Sequence, residues 1–271
     1  MYLRATSARR CVRSTDPKGV IMIATSFERS PQRYARLSGI IYLAIILLGL
    51  FGEVYVRNSL IVSGDPATTL ENISRAPLLW RAGIVGDLLM QLCDIPVICI
   101  FYLLFRPVNK PLALLATLFN LIQTAVLAGN KLTLVVPLLL LDDSSYLAAF
   151  SVQQQQVLAY LAIKAHGYGF GIGLLFFGFA CLVRGHLILD CGFLPKALGR
   201  LLQIAGLCYL INSFALLLAP AFADVMFPAI LVPPLIGELS LCMWLMIKGI
   251  DVEQWLRKAA AKDAQIMVHG G

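Results

Sequence analysis

Two carboxylates and one amide are spaced so that they share one face of a helix. Asp87, Gln91 and Asp94 lie at positions i, i+4 and i+7 of a long apolar stretch, and this spacing places them on the same side of a helix. Ionised side chains in hydrocarbon cost about 2.5–3.5 kcal/mol each on insertion scales. The face is therefore predicted to point into the protein interior or a water-filled cavity.

Other apolar stretches also carry isolated polar side chains, which need partners inside the folded protein. The predicted intramembrane polar cluster comprises Asp87, Gln91 and Asp94 together with Glu53, Lys131, Lys164, His166, Asn212 and Glu238. Most of its members are expected in the half of the membrane away from the cytoplasm, whereas the inner ends of the helices are apolar. We therefore expect a polar cavity that opens toward the extracytoplasmic side.

Three interpretations of this cluster remain open. In the first, the cavity binds or transports a small polar or cationic solute, or protons, with the carboxylates as ligand or relay groups. In the second, the acids pair with basic side chains and the network only fixes helix packing, as in a non-catalytic assembly or accessory subunit. In the third, His166 and carboxylates such as Glu238 hold a metal ion or perform acid–base chemistry.

The first interpretation is our functional hypothesis, centred on Asp87, Asp94, His166 and Glu238. The sequence contains no HExxH and no GxSxG motif, which favours a protein that is not an enzyme. It also contains no CxxC motif, so neither a zinc site nor a disulfide is predicted. We predict no cofactor and no metal ion.

The composition explains why these polar residues are informative. Of 271 residues, 59% are hydrophobic and only 14% are charged, and the mean hydropathy is +0.81. A soluble domain has about 25% charged residues, so this composition excludes a soluble enzyme, a disordered chain and a fibrous protein. The chain is predicted to be a multi-pass integral membrane protein whose main partner is the lipid bilayer.

Six apolar stretches are long enough to cross a hydrocarbon core of about 30 Å, which takes roughly 20 helical residues. They are Leu37–Val56, Ala82–Phe105, Leu112–Leu139, Val157–Val183, Leu198–Ala219 and Val225–Ile247. Their continuous apolar runs fit helices rather than the alternating strands of a membrane barrel. The predicted fold is an all-α transmembrane bundle of six helices.

The distribution of Lys and Arg predicts the orientation of this bundle. If the N-terminus is inside, about three-quarters of the 22 Lys and Arg residues fall on the cytoplasmic side, as the positive-inside rule requires. We therefore predict that both termini are cytoplasmic and that the protein lies in a bacterial inner (plasma) membrane. The net charge of +7 reflects this topology, and no nucleic acid partner is predicted.

The chain divides into three predicted regions. Residues 1–35 form a basic, disordered extension, residues 36–249 the membrane domain, and residues 250–271 a short cytoplasmic tail. Whether translation starts at Met1 or Met22 stays open. In the longest outer connection, Thr68 and Glu71 are spaced as a capping box, which predicts a short surface helix from about Thr69 to Arg75.

Glycines in the fourth apolar stretch predict close helix packing. The pairs Gly167/Gly171 and Gly169/Gly173 are each four residues apart, and such spacing lets a neighbouring backbone approach closely. This face is a candidate contact for another helix of the same chain or for a homo-oligomer.

Several motifs together resemble one bacterial membrane protein family. They are His166–Gly178, Gly185–Ile188, Gly192–Gly199, Arg106–Asn109 with Leu112–Ala116, and Glu238–Leu241 with Trp244–Gly249. Over about Arg36–Gly249 the chain is similar to the uncharacterised family named domain of unknown function 4386. The resemblance implies a multi-helix membrane protein and supplies no activity, substrate or catalytic residue. This chain has Asn120 where arginine is expected in much of the family.

Overall fold

The computed structural model describes residues 30–142 and 144–269, with side chains described through Ala261. These residues form helices and turns, and no strand occurs among them. In chain order the helices are α1 (Pro31–Leu60), α2 (Pro66–Arg75), α3 (Pro77–Phe105), α4 (Lys110–Leu140), α5 (Val152–Cys191), α6 (Lys196–Leu218), α7 (Pro220–Met226), α8 (Val232–Ile247) and α9 (Val252–His269).

Six of these helices are long and apolar enough to cross a bilayer, namely α1, α3, α4, α5, α6 and α8. The prediction of an all-α protein with six spanning helices is confirmed. Five of these helices are longer than the apolar stretches alone indicate, whereas α8 begins at Val232 and not at the predicted Val225. The most extended, α5, has 40 residues and is therefore about 60 Å long, so it projects well beyond a hydrocarbon core.

The six spanning helices form a closed ring. Each packs against its neighbours in the chain, and α8 packs against α1 to complete the circle. Short connections make successive helices antiparallel neighbours. The arrangement leaves a central space toward which all six helices can direct polar side chains.

Glycines bring two of the helices into backbone contact. A Cβ added at Gly199 of α6 would lie 2.7 Å from the carbonyl oxygen of Gly185 of α5. One added at Gly206 would lie equally close to the carbonyl oxygen of Gly178. In lipid, such close van der Waals packing stabilises helix association.

The glycines singled out from the sequence differ among themselves. A Cβ at Gly173 would lie 2.5 Å from Leu127 of α4, and one at Gly171 would lie 2.6 Å from Leu216 of α6. At Gly169 it would overlap the side-chain amide of Asn130. At Gly167, however, it would meet nothing within 4 Å, so this position is not a close helix contact within the chain.

The first helix begins earlier than the sequence suggested. Pro31 occupies the first turn of α1, a position that proline favours, and Ala35 is fully buried. Residues 31–35 are thus helical rather than part of a disordered extension. The prediction of disorder for residues 1–29 lies outside the described residues.

The short helix α2 exists as predicted, but its cap is a different residue. The Asp65 carboxylate accepts hydrogen bonds from the Thr68 hydroxyl (2.6 Å) and the Thr68 backbone N–H (3.0 Å), so Asp65 is the N-cap. These bonds lower the pKa of the Asp65 carboxyl below its ordinary value. Glu71 does not close a capping box and instead pairs with Arg75 on the surface.

The segment after the last spanning helix is a helix that docks on the bundle. Gly249 turns the chain with φ +71°, and Asp251 caps α9 by accepting from the backbone N–H of Gln254 at 3.1 Å. Trp255 is then 1% exposed, and its indole N–H donates to the Leu104 carbonyl oxygen at 3.0 Å. Hydropathy alone does not reveal this anchor, because charged residues are interspersed among the apolar residues of α9.

The two ends of the membrane domain lie together. Gln32, in the first turn of α1, donates to the Lys248 carbonyl oxygen and accepts from the Ile250 backbone N–H, both at 2.8 Å. We call this side of the bundle the terminal end, and the side that carries α2 the far end.

Truncation of the anchor tests the docking of α9. Trp255→Ala is expected to lower the free energy of unfolding by about 3 kcal/mol, because it leaves a cavity and removes the donor to Leu104. Thermal unfolding in detergent measures the change. The adjacent Leu256 is 48% exposed, so Leu256→Ala is the matched control and should change stability by less than about 0.5 kcal/mol. Equal effects of the two changes would show that α9 is not docked.

Candidate functional site

A cavity of about 280 Å³ occupies the centre of the ring. Small-molecule sites begin at about 300 Å³, so this volume suits a ligand of a few non-hydrogen atoms. Every spanning helix contributes to the lining, for example through Tyr42, Asp87, Gln123, Phe170, Tyr209 and Glu238.

The structure brings most of the predicted polar cluster to this one cavity. The cluster members that line it are Glu53, Asp87, Gln91, Asp94, Lys131 and Glu238. The structure places the other three members outside this lining.

Those three residues have separate environments. Lys164 is exposed, with its ammonium group 5.5 Å from the centre of the Tyr160 ring. His166 is buried against Asn130, whose amide nitrogen lies 3.0 Å from the His166 Nδ1 and donates to its carbonyl oxygen at 2.8 Å. Asn212 is buried within α6 and does not line the cavity.

An ion-pair network lines the cavity toward the far end. The Asp87 carboxylate lies 2.7 Å from Arg57 Nη1 and 2.8 Å from Lys131 Nζ, and Arg57 Nε lies 2.6 Å from Glu53. Asp87, Arg57 and Lys131 are 0%, 6% and 3% exposed. The network therefore links α1, α3 and α4, and three of its four charges are shielded from solvent and lipid.

A change of helical pitch in α1 positions two members of this network. Phe51–Arg57 is a π-helical segment, a distortion that is frequent at functional sites. Gly52 lies within it, and a Cβ there would overlap the Asp87 carboxylate. The absence of a side chain at Gly52 is what lets the carboxylate reach Arg57.

Arg57 is the functional residue that sequence reasoning missed here. It directly follows the apolar stretch Leu37–Val56, so hydropathy alone treats it as part of the outer connection. The structure instead buries it, and the spacing of Glu53 and Arg57 at i and i+4 is the pattern that could have revealed the pair.

Asp94 belongs to a second polar group, deeper in the ring. Its carboxylate accepts hydrogen bonds from the Thr124 hydroxyl at 2.5 Å and from the Asn120 amide at 3.1 Å. The Asn120 carbonyl oxygen in turn accepts from Arg184 Nη2 at 2.6 Å. Arg184 thus reaches Asp94 through an amide, without an ion pair between them among the described residues.

Arg184 is a correction to the sequence-based topology. It directly follows the fourth apolar stretch, Val157–Val183, so hydropathy alone treats it as part of a cytoplasmic connection. In the structure it is 3% exposed within α5, and its guanidinium lies 4.6 Å from the centre of the Phe101 ring. The helix extends to Cys191, which places Arg184 inside the bundle.

Glu238 of α8 has two neutral partners. Its carboxylate accepts from the Tyr42 hydroxyl at 3.0 Å and from the Tyr209 hydroxyl. Within the described part of the chain, no lysine or arginine forms an ion pair with it. These bonds join α1, α6 and α8 around one carboxylate that lines the cavity.

Comparison with known proteins agrees with this architecture. The sequence profile of a family described as a domain of unknown function, DUF4386, matches residues 37–249, which include five of the spanning helices and all but the first six residues of α1. The chain belongs to the DUF4386 family. The resemblance seen in the sequence is thereby confirmed.

An uncharacterized protein of Archaeoglobus fulgidus is 27% identical over 166 residues, which cover 61% of this chain and 83% of that protein. Because this relative is archaeal, it does not support the predicted bacterial origin. No solved structure matches the chain.

Two further observations concern this DUF4386 site. At the family position where arginine is expected, the side-chain oxygen of Asn120 accepts a hydrogen bond from the guanidinium of Arg184 on the neighbouring helix. A positive charge therefore still lies close by. Among the described residues, no three His, Cys, Asp or Glu side chains are grouped so that they could hold a metal ion.

The ion-pair network can be tested by removing its shared acid. Asp87→Asn leaves Arg57 and Lys131 buried with less counter-charge, and the expected loss is about 3–5 kcal/mol of unfolding free energy. The double variant Asp87→Asn with Lys131→Met should recover part of that loss, since one unpaired cation is removed. Unfolding by heat or by SDS in mixed micelles gives both values.

The exposed pair Arg75–Glu71 provides the control, with side chains that are 73% and 54% exposed. Glu71→Gln should change stability by less than about 0.5 kcal/mol. Strictly additive losses at Asp87 and Lys131 would rule out the coupling that the geometry implies.

Proposed function

We propose that the central cavity binds a small organic ammonium ion, as part of a binding or transport function of a multi-pass protein in the plasma membrane. The observation that carries the proposal is the difference between acids and bases in the lining. Both basic side chains, Arg57 and Lys131, are ion-paired with acids. Two of the four acids, Asp94 and Glu238, are in no ion pair among the described residues.

The cavity lining offers a ligand further hydrogen-bond acceptors. Gln91 is 4% exposed, and its Oε1 atom has no hydrogen-bond partner among the described residues. Carboxylate oxygens of Asp94 and Glu238 are the neighbouring acceptors along the lining. A protonated amine supplies both the charge and the N–H donors that such a group requires.

The rest of the lining suits the apolar part of such a ligand. Phe170, Phe177, Tyr42 and Tyr209 present aromatic rings to the cavity. The face of an aromatic ring attracts a cation by about 0.5–2 kcal/mol when both are shielded from water. The cavity therefore combines acceptors for an ammonium head with surfaces for a few methylene groups.

The orientation of the site follows from the topology that we propose. Arg33, Arg36, Lys248, Arg257 and Lys258 lie around the terminal end, which the positive-inside rule assigns to the cytoplasm. Both termini are then cytoplasmic. The cavity, which extends from the ion-pair network to Glu238, lies closer to the extracytoplasmic side.

The ion-pair network has a structural role in this proposal. Each of its charges already has a partner within the bundle, so it stabilises the walls of the cavity rather than binding the ligand. The alternative of a metal-dependent enzyme relied on His166, which is held by Asn130 away from the cavity lining.

Binding of butylammonium tests the proposal. With purified protein in phosphatidylglycerol nanodiscs, which contain no amine lipid, calorimetry should detect butylammonium but not the uncharged butanol. Asp94→Asn and Glu238→Gln should each weaken binding at least about tenfold, since each removes a carboxylate within reach of the cation.

Two variants separate a lost ligand contact from a lost fold. Tyr209→Phe keeps the ring and the Glu238 charge, and it should retain butylammonium binding although it removes a hydrogen bond. Glu71→Gln removes a surface carboxylate and should have no effect. Unchanged affinity in folded Glu238→Gln and Asp94→Asn proteins would overturn the proposal.

A further inference from the structure

The exposed residues of the cavity lining lie at one place. Of all the residues that line the cavity, only Leu50, Glu53 and Leu235 are exposed. Leu50 and Glu53 belong to α1, and Leu235 belongs to α8. The cavity therefore reaches the surface of the bundle between α1 and α8, and we call this opening the mouth.

Packing between α1 and α8 explains where the mouth lies. Near the terminal end, the two backbones touch: a Cβ at Gly39 would lie 2.5 Å from the Met246 nitrogen, and Cys242 Sγ lies 3.2 Å from the Gly39 carbonyl oxygen. At mid-depth the Tyr42 hydroxyl donates to the Glu238 carboxylate and joins the two helices through their side chains.

Beyond that level α1 turns toward α3. A Cβ added at Gly49 would lie 3.2 Å from Met90 of α3, and the segment Phe51–Arg57 packs against α3 rather than closely against α8. Leu50 and Leu235, on the two sides of the gap, are each 41% exposed. The contact is thus closed at the terminal end and open toward the far end.

The chemistry of the mouth is that of an interface between lipid and a charged site. Leu50 and Leu235 form apolar edges that would face acyl chains. The Glu53 carboxylate, 49% exposed and held by Arg57, adds negative charge beside them. Leu235 lies three residues before Glu238, or about 4.5 Å along the helix axis, so a group at Glu238 is within a few carbon atoms of the bilayer.

We infer that the ligand is a single-chain ammonium amphiphile that reaches the cavity from the bilayer. This inference rests on the proposed function and specifies its substrate class. The ammonium head lies beside Asp94, Gln91 and Glu238, and the alkyl chain leaves between Leu50 and Leu235 to lie in the lipid. A ligand confined to water would need neither the lateral opening nor its apolar edges.

Chain length tests the inference separately from the proposed function. The affinities of butylammonium and octylammonium are measured in the same phosphatidylglycerol nanodiscs and corrected for partitioning with empty discs. Butylammonium reports binding at the head site, and octylammonium reports the additional contribution of the mouth. Four additional methylenes that stay in an apolar environment should tighten binding on the order of a hundredfold relative to the aqueous ligand. Octylammonium binding that equals butylammonium binding would overturn the lateral route while leaving the proposed function intact.

Variants at the mouth provide the second arm. Leu50→Trp fills the opening and should reduce the octylammonium-to-butylammonium affinity ratio at least tenfold. Leu47 is 57% exposed, lies one turn away on α1 and does not line the cavity. Leu47→Trp should therefore leave the ratio as it is.

Three outcomes contradict the inference or its basis. Equal effects of Leu47→Trp and Leu50→Trp would show that the mouth does not select the chain. A change of oligomeric size in Leu50→Trp would assign the opening to a second copy of the protein instead. If butylammonium fails to bind the folded wild-type chain, the proposed function itself is wrong.

Discussion

Compensation of buried charge around Asp87 is the constraint on which the rest of the structure depends. A carboxylate that is fully buried inside a membrane bundle is stable only if cations or donors replace its lost hydration. Arg57 and Lys131 do so from two different helices, which fixes α1, α3 and α4 relative to one another. Gly52 and the π-helical segment exist at the point where this contact forms. The wall of the cavity toward the far end follows from that single requirement.

The buried carboxylates are compensated by different groups at the two depths of the cavity. Toward the far end, Asp87 and Glu53 face basic side chains directly. Deeper in the ring, Asp94 and Glu238 receive hydroxyl and amide donors instead. Neutral donors compensate a carboxylate less completely than a cation does. The cavity is therefore electrostatically asymmetric along its axis. A positively charged ligand would stabilise the buried acids most in the deeper part, beside Asp94 and Glu238.

Hydropathy and spacing predict the six helices and the inward direction of Asp87, Gln91 and Asp94, because lipid makes both requirements strict. They misplace Arg57 and Arg184, since a rule that counts basic residues treats those near the end of an apolar stretch as solvent-exposed. Helices continue beyond the hydrocarbon core, and only tertiary contacts show where such an arginine points. His166 was misplaced for a related reason: periodicity gives the face of a helix, but the neighbour that occupies that face, here Asn130, comes from the packing of the whole ring. The docking of Trp255 was equally invisible to hydropathy.

The joint between α1 and α8 is the seam of the ring, because it joins the first spanning helix to the last. Contacts of Gln32 and Gly39 hold this seam together at the terminal end. At the far end, no loop connects α1 to α8. A small rotation about these contacts would widen or narrow the mouth, while the contacts between the other neighbouring helices stay unchanged. The contacts between α1 and α8 at the terminal end would thus act as a hinge. Rotation about this hinge would set the width of the mouth without rearranging the other helices.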